Sequence, residues 1–388
     1  MGPYSTEQWL SRLVACPTVS RDSNLELIHL VADDLDFAGA HVSLIHNDEK
    51  TKANLLARIG PEAQGGVVLS GHTDVVPVDG QPWSHDPFSV WSQDGRLYGR
   101  GVCDMKGFIA SALSTRPSNP ATLRRPLWLA FSYDEEVGCV GAPSMIARLA
   151  EYSSIGPMGV IVGEPTSLRS ISGHKGIAAA KTHVKGYETH SSQLHRGVSA
   201  VMVAARLITK LEAMNVQLKE VNTDDRFTPE YTTIHVGTVS GGTAINITAG
   251  DASFVWDIRT IPGDSAREII DEFIRFCDTD VLPEMKQKHS GCHITTEVLA
   301  DAPGLSAPLS APMRYLNKLA EVPLSAECVP YATEAGQFQS AGFESVIWGP
   351  GSIDQAHQAD EWIEQSDLAS CDHALHRIAH SLTKEELE

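Results

Sequence analysis

The spacing of apolar and polar residues changes twice along this chain, and the changes divide it. Residues 22–38, DSNLELIHLVADDLDFA, carry apolar side chains at helical spacing and open on Asp22, which predicts an N-capped helix. Short, nearly continuous apolar runs follow: ANLLARI (53–59), GVVLSG (66–71), LWLAFSY (127–133) and GVIVGE (159–164), with SVIWGPG (345–351) near the C-terminus. Such runs, separated by helices, predict strands buried on both faces in a mostly parallel sheet covered by helices, an α/β architecture.

The middle of the chain reads differently. IAAAKTHVKGY (177–187) and CHITTEVLAD (292–301) predict strands, and YTTIHVGTVSGG (231–242) with DASFVWDIRTI (251–261) a strand pair around a Gly-rich turn. VSAVMVAARLITKLEAM (198–214) and SAREIIDEFIRFCDTDVL (265–282) predict helices. The order is that of a small α+β domain with an antiparallel sheet and two helices. It is expected over 178–301, inserted between the two parts, 1–177 and 302–388, of a discontinuous catalytic domain.

Length and composition narrow the class. A chain of 388 residues accommodates two domains, and 42% hydrophobic with 20% charged residues is ordinary for a soluble globular protein. No apolar run reaches 18 residues, so no membrane span is expected. No basic segment followed by an apolar one opens the chain, so no secretion signal is expected. The seven cysteines are scattered and never form CxxC, which argues against a disulfide framework or a zinc finger and fits a reducing cytoplasm. A net charge of −19 repels phosphate backbones and excludes nucleic acid as a partner; it reads chiefly as a solubility device.

Chemistry enters with the positions at which the strands end. VVLSGHTD ends on His72 and Asp74, LWLAFSYDEE on Glu135 and Glu136, GVIVGE on Glu164, and SVIWGPGSIDQAH on His357. Binding sites of open parallel sheets form outside the carboxyl ends of the strands, so separate segments deliver imidazoles and carboxylates to one edge. Asp104 adds another, just before MKGFIASALS, where a helix is expected to begin. Singly, each has an ordinary reading: Asp104 as an N-cap, a histidine as a structural hydrogen-bonding group, a glutamate as a solvated loop residue. Together, that many carboxylates need a cation to offset their repulsion. Mixed His and carboxylate donors, with no cysteine ligand among them, suit zinc, cobalt or manganese rather than a structural zinc site. Adjacent side chains on a strand point opposite ways, so Glu135 and Glu136 can share a site only if the chain turns, which Gly138 permits.

GHTDVVPVDG, WSHDPFSV, DGRLYGRGVCDMKG, SYDEEVG, VGEPTS, GHKG, THSS and GPGSIDQAHQADEWI follow one another in order. On these the chain resembles the dinuclear-zinc amidohydrolases that include carboxypeptidase G, succinyl-diaminopimelate desuccinylase, aminoacylases and acetylornithine deacetylase. The last motif and the GEPTS…GHKG pair look most like the acetylornithine deacetylases. The resemblance implies two divalent ions, zinc first and cobalt or manganese as alternatives. His72 and Glu164 would complete one metal position, Glu136 and His357 the other, with Asp104 bridging and Asp74 orienting His72. Glu135 would be the general base, and Asp104–Met105 a cis peptide.

The resemblance further implies a homodimer whose inserted lid or dimerisation domain lends His190 to the partner's active site, to stabilise the oxyanion. The nearby His195 and Arg196 stand where relatives often show a proline. Arg259 would bind the substrate α-carboxylate, with a surface arginine as its ordinary reading. Asn246, Thr333 and Glu334 would also contact the substrate. The implied reaction is hydrolysis of an N-acyl amino acid, with N2-acetyl-L-ornithine favoured, for arginine biosynthesis. A desuccinylase, an aminoacylase, a dipeptidase and a non-catalytic dimeric binding protein are the alternatives. Asp134 and Cys103 receive no role, the latter reading as a small buried filler.

Overall fold

The computed structural model describes residues 4–152, 159–306 and 327–384, with Arg314, Lys318 and Glu321 between the last two. In chain order the main strands are β1 (His41–His46), β2 (Ala53–Ile59), β3 (Val67–His72), β4 (Leu127–Ser132), β5 (Gly159–Val162), β6 (Gly176–Lys185), β7 (Thr233–Gly241), β8 (Asp251–Thr260), β9 (His293–Ala302) and β10 (Ser345–Ile347). The main helices are α1 (Thr6–Val14), α2 (Leu25–Phe37), α3 (Lys106–Ser114), α4 (Ala142–Ala150), α5 (Ala200–Val221), α6 (Ala266–Phe276), α7 (Leu282–Lys288), α8 (Ala335–Ser340) and α9 (Gln365–Ser381).

Two compact units result, residues 1–173, 305–328 and 333–388 against 174–304 and 329–332. The short segment 329–332 thus groups with the inserted unit, not with the catalytic part where the sequence placed it. The backbone accounts for this: Lys175 donates its N–H to the Val329 carbonyl at 3.3 Å.

The first unit is built on a six-stranded sheet in the order β1-β2-β4-β3-β5-β10. The β4–β3, β3–β5 and β5–β10 pairs are parallel. ANLLARI, read as one of the parallel set, instead runs antiparallel to both neighbours. It is the second arm of a hairpin whose first arm, HVSLIH, the pattern did not reveal because that edge strand is mostly half-exposed. Asn47 closes the hairpin, its side-chain oxygen accepting the Thr51 and Lys52 N–H groups at 2.9 Å each. Every residue of β3 and β4 is buried, as a sheet covered on both faces requires.

Helix α2 begins at Leu25, not at Asp22. Asn24 precedes it without capping it, because its side chain is spent on β2: it donates to Ala53 O at 2.9 Å and accepts Ala53 N at 3.0 Å. All nine residues of α3 are buried, including Lys106. The Lys106 ammonium donates to Leu13 O at 3.0 Å and Cys16 O at 2.9 Å, satisfying carbonyls at the end of α1. That contact lets a helix with a lysine at its first position lie inside the protein.

The second unit is an antiparallel sheet in the order β7-β8-β6-β9, with α5, α6 and α7. Along β8 burial alternates, Phe254, Trp256 and Ile258 facing a core that α5 and α6 share. The helix expected to end at 282 continues to Lys288. A wide π turn at Cys277–Val281 leads into a new first turn containing Pro283, which has no N–H to extend the preceding ladder. Among the described residues no helix is long and apolar enough to cross a membrane.

Candidate active site

Strands β3, β4 and β5 are parallel neighbours, so their carboxyl ends lie at one edge of the first unit. His72 is the last residue of β3, and Glu164 follows β5 by two positions. Asp104 precedes α3, but Met105 stands between it and the helix as the cap residue, so the N-cap reading of Asp104 does not hold. The Asp104–Met105 peptide is cis.

Two triads of donor atoms emerge. His72, Asp104 and Glu164 each present one ligand atom within 4.8 Å of the others, and so do Asp104, Glu136 and His357. Asp104 belongs to both. Its Oδ1 is 3.0 Å from His72 Nε2 and its Oδ2 3.3 Å from His357 Nε2. His357 Nε2 lies 3.0 Å from Glu136 Oε2.

Burial and mutual charge move the titratable groups of this cluster away from their ordinary values. Burial drives the Glu164 carboxyl well above the usual carboxylate range, and the charges of Asp104 and Glu135 push it further. Its Oε1 is buried with no hydrogen-bond partner. Burial also raises Glu136, with the Asp104 charge adding to it. Burial acts to raise Asp104 too, but hydrogen bonds from His357 and His72 pull it well below its ordinary value. His357 rises to about 10 through hydrogen bonds to Asp104 and Glu136. Two imidazoles, three carboxylates and an orphaned buried oxygen in a shared-ligand arrangement fit a pair of divalent ions.

The run Asp134-Glu135-Glu136 leaves β4 and turns at once. Glu135 O accepts the N–H groups of Gly138 at 2.9 Å and Cys139 at 2.8 Å, with Gly138 at φ 112°. The turn parts the three carboxylates. Glu136 joins the second triad, and Asp134, itself at φ 57°, pairs with Lys52 Nζ at 2.6 Å away from the triads. Glu135 belongs to neither triad. The Cys139 thiol donates to its Oε1 at 3.2 Å, and burial lifts its carboxyl to about 8, with Glu136, Glu334 and Asp104 adding to the effect against the neighbouring His72.

Asp74 meets His72 through its backbone rather than through the expected carboxylate. His72 Nδ1 hydrogen-bonds the Asp74 backbone carbonyl at 2.9 Å, while the nearest Asp74 carboxylate oxygen stands 3.7 Å away. The carboxylate instead accepts the N–H groups of Glu135 at 3.1 Å and Glu136 at 3.3 Å, plus the Ser20 hydroxyl at 2.7 Å. It shapes the carboxylate turn directly, whereas His72 is oriented through the backbone.

Glu334 and Thr333, expected at the substrate, are both buried. The Glu334 carboxylate accepts the hydroxyls of Ser132 and Ser70, which anchor it against β4 and β3 behind His72. Burial raises it to about 7, against those two hydroxyl bonds. Thr333 Oγ1 accepts the Ala335 N–H at 3.1 Å and starts α8.

The remaining expected residues lie in the second unit. His190 is exposed; its Nδ1 accepts the Ser192 N–H at 3.2 Å, which leaves the hydrogen on Nε2. Ser191 donates to the Asn246 carbonyl at 3.0 Å, so the His190 and Asn246 loops are neighbours. Arg259, on β8, pairs with Asp257 at 3.1 Å. Sequence reasoning passed over Ser20, Lys52, Asn54 and Glu361. Asn54 holds the loop after β4 by donating to Gly141 O at 2.8 Å and accepting Tyr133 N at 3.1 Å. Lone polar residues carry no periodic signal, and neither Asn54 within ANLLARI nor Glu361 within GPGSIDQAHQADEWI is marked out by its neighbours.

Comparison with known proteins agrees with this geometry. The model of peptidase family M20/M25/M40 matches residues 68–381. An acetylornithine deacetylase of Shigella sonnei (strain Ss046) is 35% identical over 362 residues, 91% of each chain. One from Pectobacterium carotovorum subsp. carotovorum (strain PC1) is 34% identical over 378 residues, 95% of each. Among solved structures, an M20 family metallo-carboxypeptidase of Sulfolobus solfataricus superposes with a TM-score of 0.75 at 16% identity, covering 98% of this chain and 99% of that one, which speaks to the fold alone. The chain therefore belongs to peptidase family M20/M25/M40 and is a metal-dependent hydrolase.

Proposed function

We propose that the protein removes the acyl group from an N-acyl amino acid, with N2-acetyl-L-ornithine as substrate and L-ornithine and acetate as products. The observation that carries this reading is likeness over nine-tenths or more of the chain to two proteins named acetylornithine deacetylase. His72, Asp104 and Glu164 would hold one divalent ion, and Asp104, Glu136 and His357 the second. Zinc is the first candidate, since mixed imidazole and carboxylate donors suit it, while cobalt and manganese share that preference. When bound, such ions lower the pKa of a water molecule and polarise the scissile carbonyl.

The chain's own groups supply the rest. Glu135, outside both triads, accepts a proton from the attacking water and passes it to the leaving amine nitrogen. The water oxygen bonds to the carbonyl carbon to give an oxyanion, the C–N bond then breaks as the carbonyl re-forms, and the second water proton also passes to nitrogen, leaving a carboxylate and an ammonium group. Without metal the Glu135 carboxyl is raised to about 8 by burial, and two bound cations would draw it back toward the ionised form that a base requires. His190 of a second copy donates from Nε2 to the developing oxyanion. Arg259 presents a planar fork to the substrate α-carboxylate, with Asn246 beside the His190 loop as a further contact. Glu334 acts from beneath, holding Ser70 of β3 and Ser132 of β4, while Thr333 caps the start of α8.

The test compares kcat/KM on N-acetylornithine, N-succinyl-diaminopimelate and N-acetylmethionine. N-acetylornithine is expected to lead by at least tenfold. A higher value on either competitor would move the protein to another branch of the family, and activity indifferent to a strong chelator would remove the metal reading.

A further inference from the structure

Glu361 is buried to 1% exposure, and its carboxylate is almost wholly occupied by the backbone that carries Asp104. Its Oε1 accepts the N–H groups of Cys103 at 2.9 Å and Asp104 at 3.1 Å. Its Oε2 accepts the Gly101 N–H at 3.0 Å and the Arg100 guanidinium at 2.8 Å. Its backbone carbonyl takes the Gly99 N–H at 3.0 Å. Five donors from residues 99–104 therefore converge on one side chain and its own peptide.

The same residue lies four positions after His357, and the intervening chain is held from the same side. Gln81 donates to the His357 carbonyl at 2.9 Å and accepts from Arg100. Asp360 accepts the Ser84 N–H at 2.9 Å and the Ser84 hydroxyl at 2.7 Å. A closed set of hydrogen bonds thus joins the backbone of Asp104 to the backbone of His357, two segments from distant parts of the sequence. Burying a carboxylate is costly unless its charge and lone pairs are all met. Here Arg100 offsets the charge, and the amides fill the lone pairs only when residues 99–104 adopt this conformation. Hydrogen bonds to charged groups are among the stronger ones, so the loop is held firmly.

We propose that Glu361 is a positioning residue: it sets the separation of Asp104 and His357, and so the affinity of the second metal position for a divalent ion. The inference rests on the two-metal reading above. A purely structural ion pair with Arg100 would stabilise the fold without touching metal affinity, and this separates the two roles.

The experiment titrates metal-free protein with Co2+, following visible absorption and heat, in the wild type, Glu361→Gln, Glu361→Asp and the surface control Glu364→Gln. Glu364 pairs with Arg96 at 2.9 Å and is about one-third exposed. Wild type and Glu364→Gln are expected to bind two ions. Glu361→Gln should keep its far-ultraviolet dichroism yet bind the second ion about 10- to 100-fold more weakly, the range seen when groups behind metal ligands are changed. Excess Co2+ should restore a stoichiometry of two. Glu361→Asp, with charge retained on a shorter arm, should fall between. Folded Glu361→Gln with wild-type affinity for both ions overturns the proposal. If that variant does not fold, wild-type affinity in Glu361→Asp overturns it equally. Failure of both variants to fold makes Glu361 a folding determinant and also overturns it. A wild type that binds no divalent ion instead defeats the two-metal reading itself.

Discussion

Asp134, Glu135 and Glu136 are chemically near-identical neighbours with three different surroundings. Lys52 takes the first, the second triad takes the third, and Glu135 is left beside both with the Cys139 thiol on its carboxylate. Replacing Glu135 with Gln preserves size and leaves both triads intact. Metal content and fold are therefore expected to persist while kcat falls by about 10²-fold or more, the scale of general acid–base catalysis. Steady-state kinetics with elemental analysis on the same sample decide this; retention of a tenth of wild-type kcat would remove Glu135 from the base role. The candidate donors were readable because metal ligation restricts residue type to His and carboxylate. The groups that aim them were not. Ser20 and Lys52 act through contacts between segments remote in sequence, where any polar residue of the right length leaves the same trace, and the Asp74 carbonyl that holds His72, two positions away, belongs to the backbone and leaves none.

At the scale of elements, the candidate ligands depend on how tightly α3 sits against the sheet. Gly163 stands between the end of β5 and Glu164, and a Cβ there would lie 2.0 Å from the Phe108 ring of α3, which is itself fully buried. Nothing at that site is a flexible side-chain end that could yield. Gly163→Ala is expected to displace Glu164 or α3, costing about 1–3 kcal/mol of stability and at least tenfold in metal affinity. Urea unfolding and metal titration of the variant measure both; unchanged values in each would show that the helix moves freely. Buried strands such as LWLAFS were legible because burial on both faces leaves no polar position. The antiparallel sense of ANLLARI was not, since a buried strand shows the same run whichever way its neighbour points.

For the whole molecule, the metal-free protein carries an electrostatic burden whose sign follows from the shifted groups. Glu135 at about 8 and Glu334 at about 7 stand above their ordinary values, mainly through burial. His357, at about 10, is raised by its hydrogen bonds to Asp104 and Glu136. In each case the folded protein holds a proton that the unfolded chain has released, so stability falls as pH rises through the interval between the two values. His174, lowered to about 4 by burial, acts oppositely, but only below its ordinary value near 6.5. Between pH 6.5 and 8 all four groups agree or are silent, and the urea midpoint of metal-free protein should drop. Saturating zinc should abolish or reverse the slope, because the ions take the place of the protons. A midpoint that rises with pH without metal would contradict the charge distribution described here. His190 supplies the remaining whole-molecule prediction. If it serves a second copy, mixing His190→Ala with Glu135→Gln should regenerate activity, up to about a quarter of wild type for statistical exchange between dimers. No recovery after verified subunit exchange would assign His190 to its own chain.

The α/β class, the sheet with its inserted antiparallel domain and the residue types of the metal cluster are properties of local pattern. Periodicity reports burial, and a strand that stops on His or Glu reports chemistry at its end. Which carboxylate turns toward which imidazole is a property of packing. It depends on Asp74 and Asn54 shaping the turn after β4, on Lys52 withdrawing Asp134, and on Glu361 joining Asp104 to the His357 segment. Those bonds are made across the sheet edge rather than along the chain, and a distance between remote segments exists only once the backbone has folded.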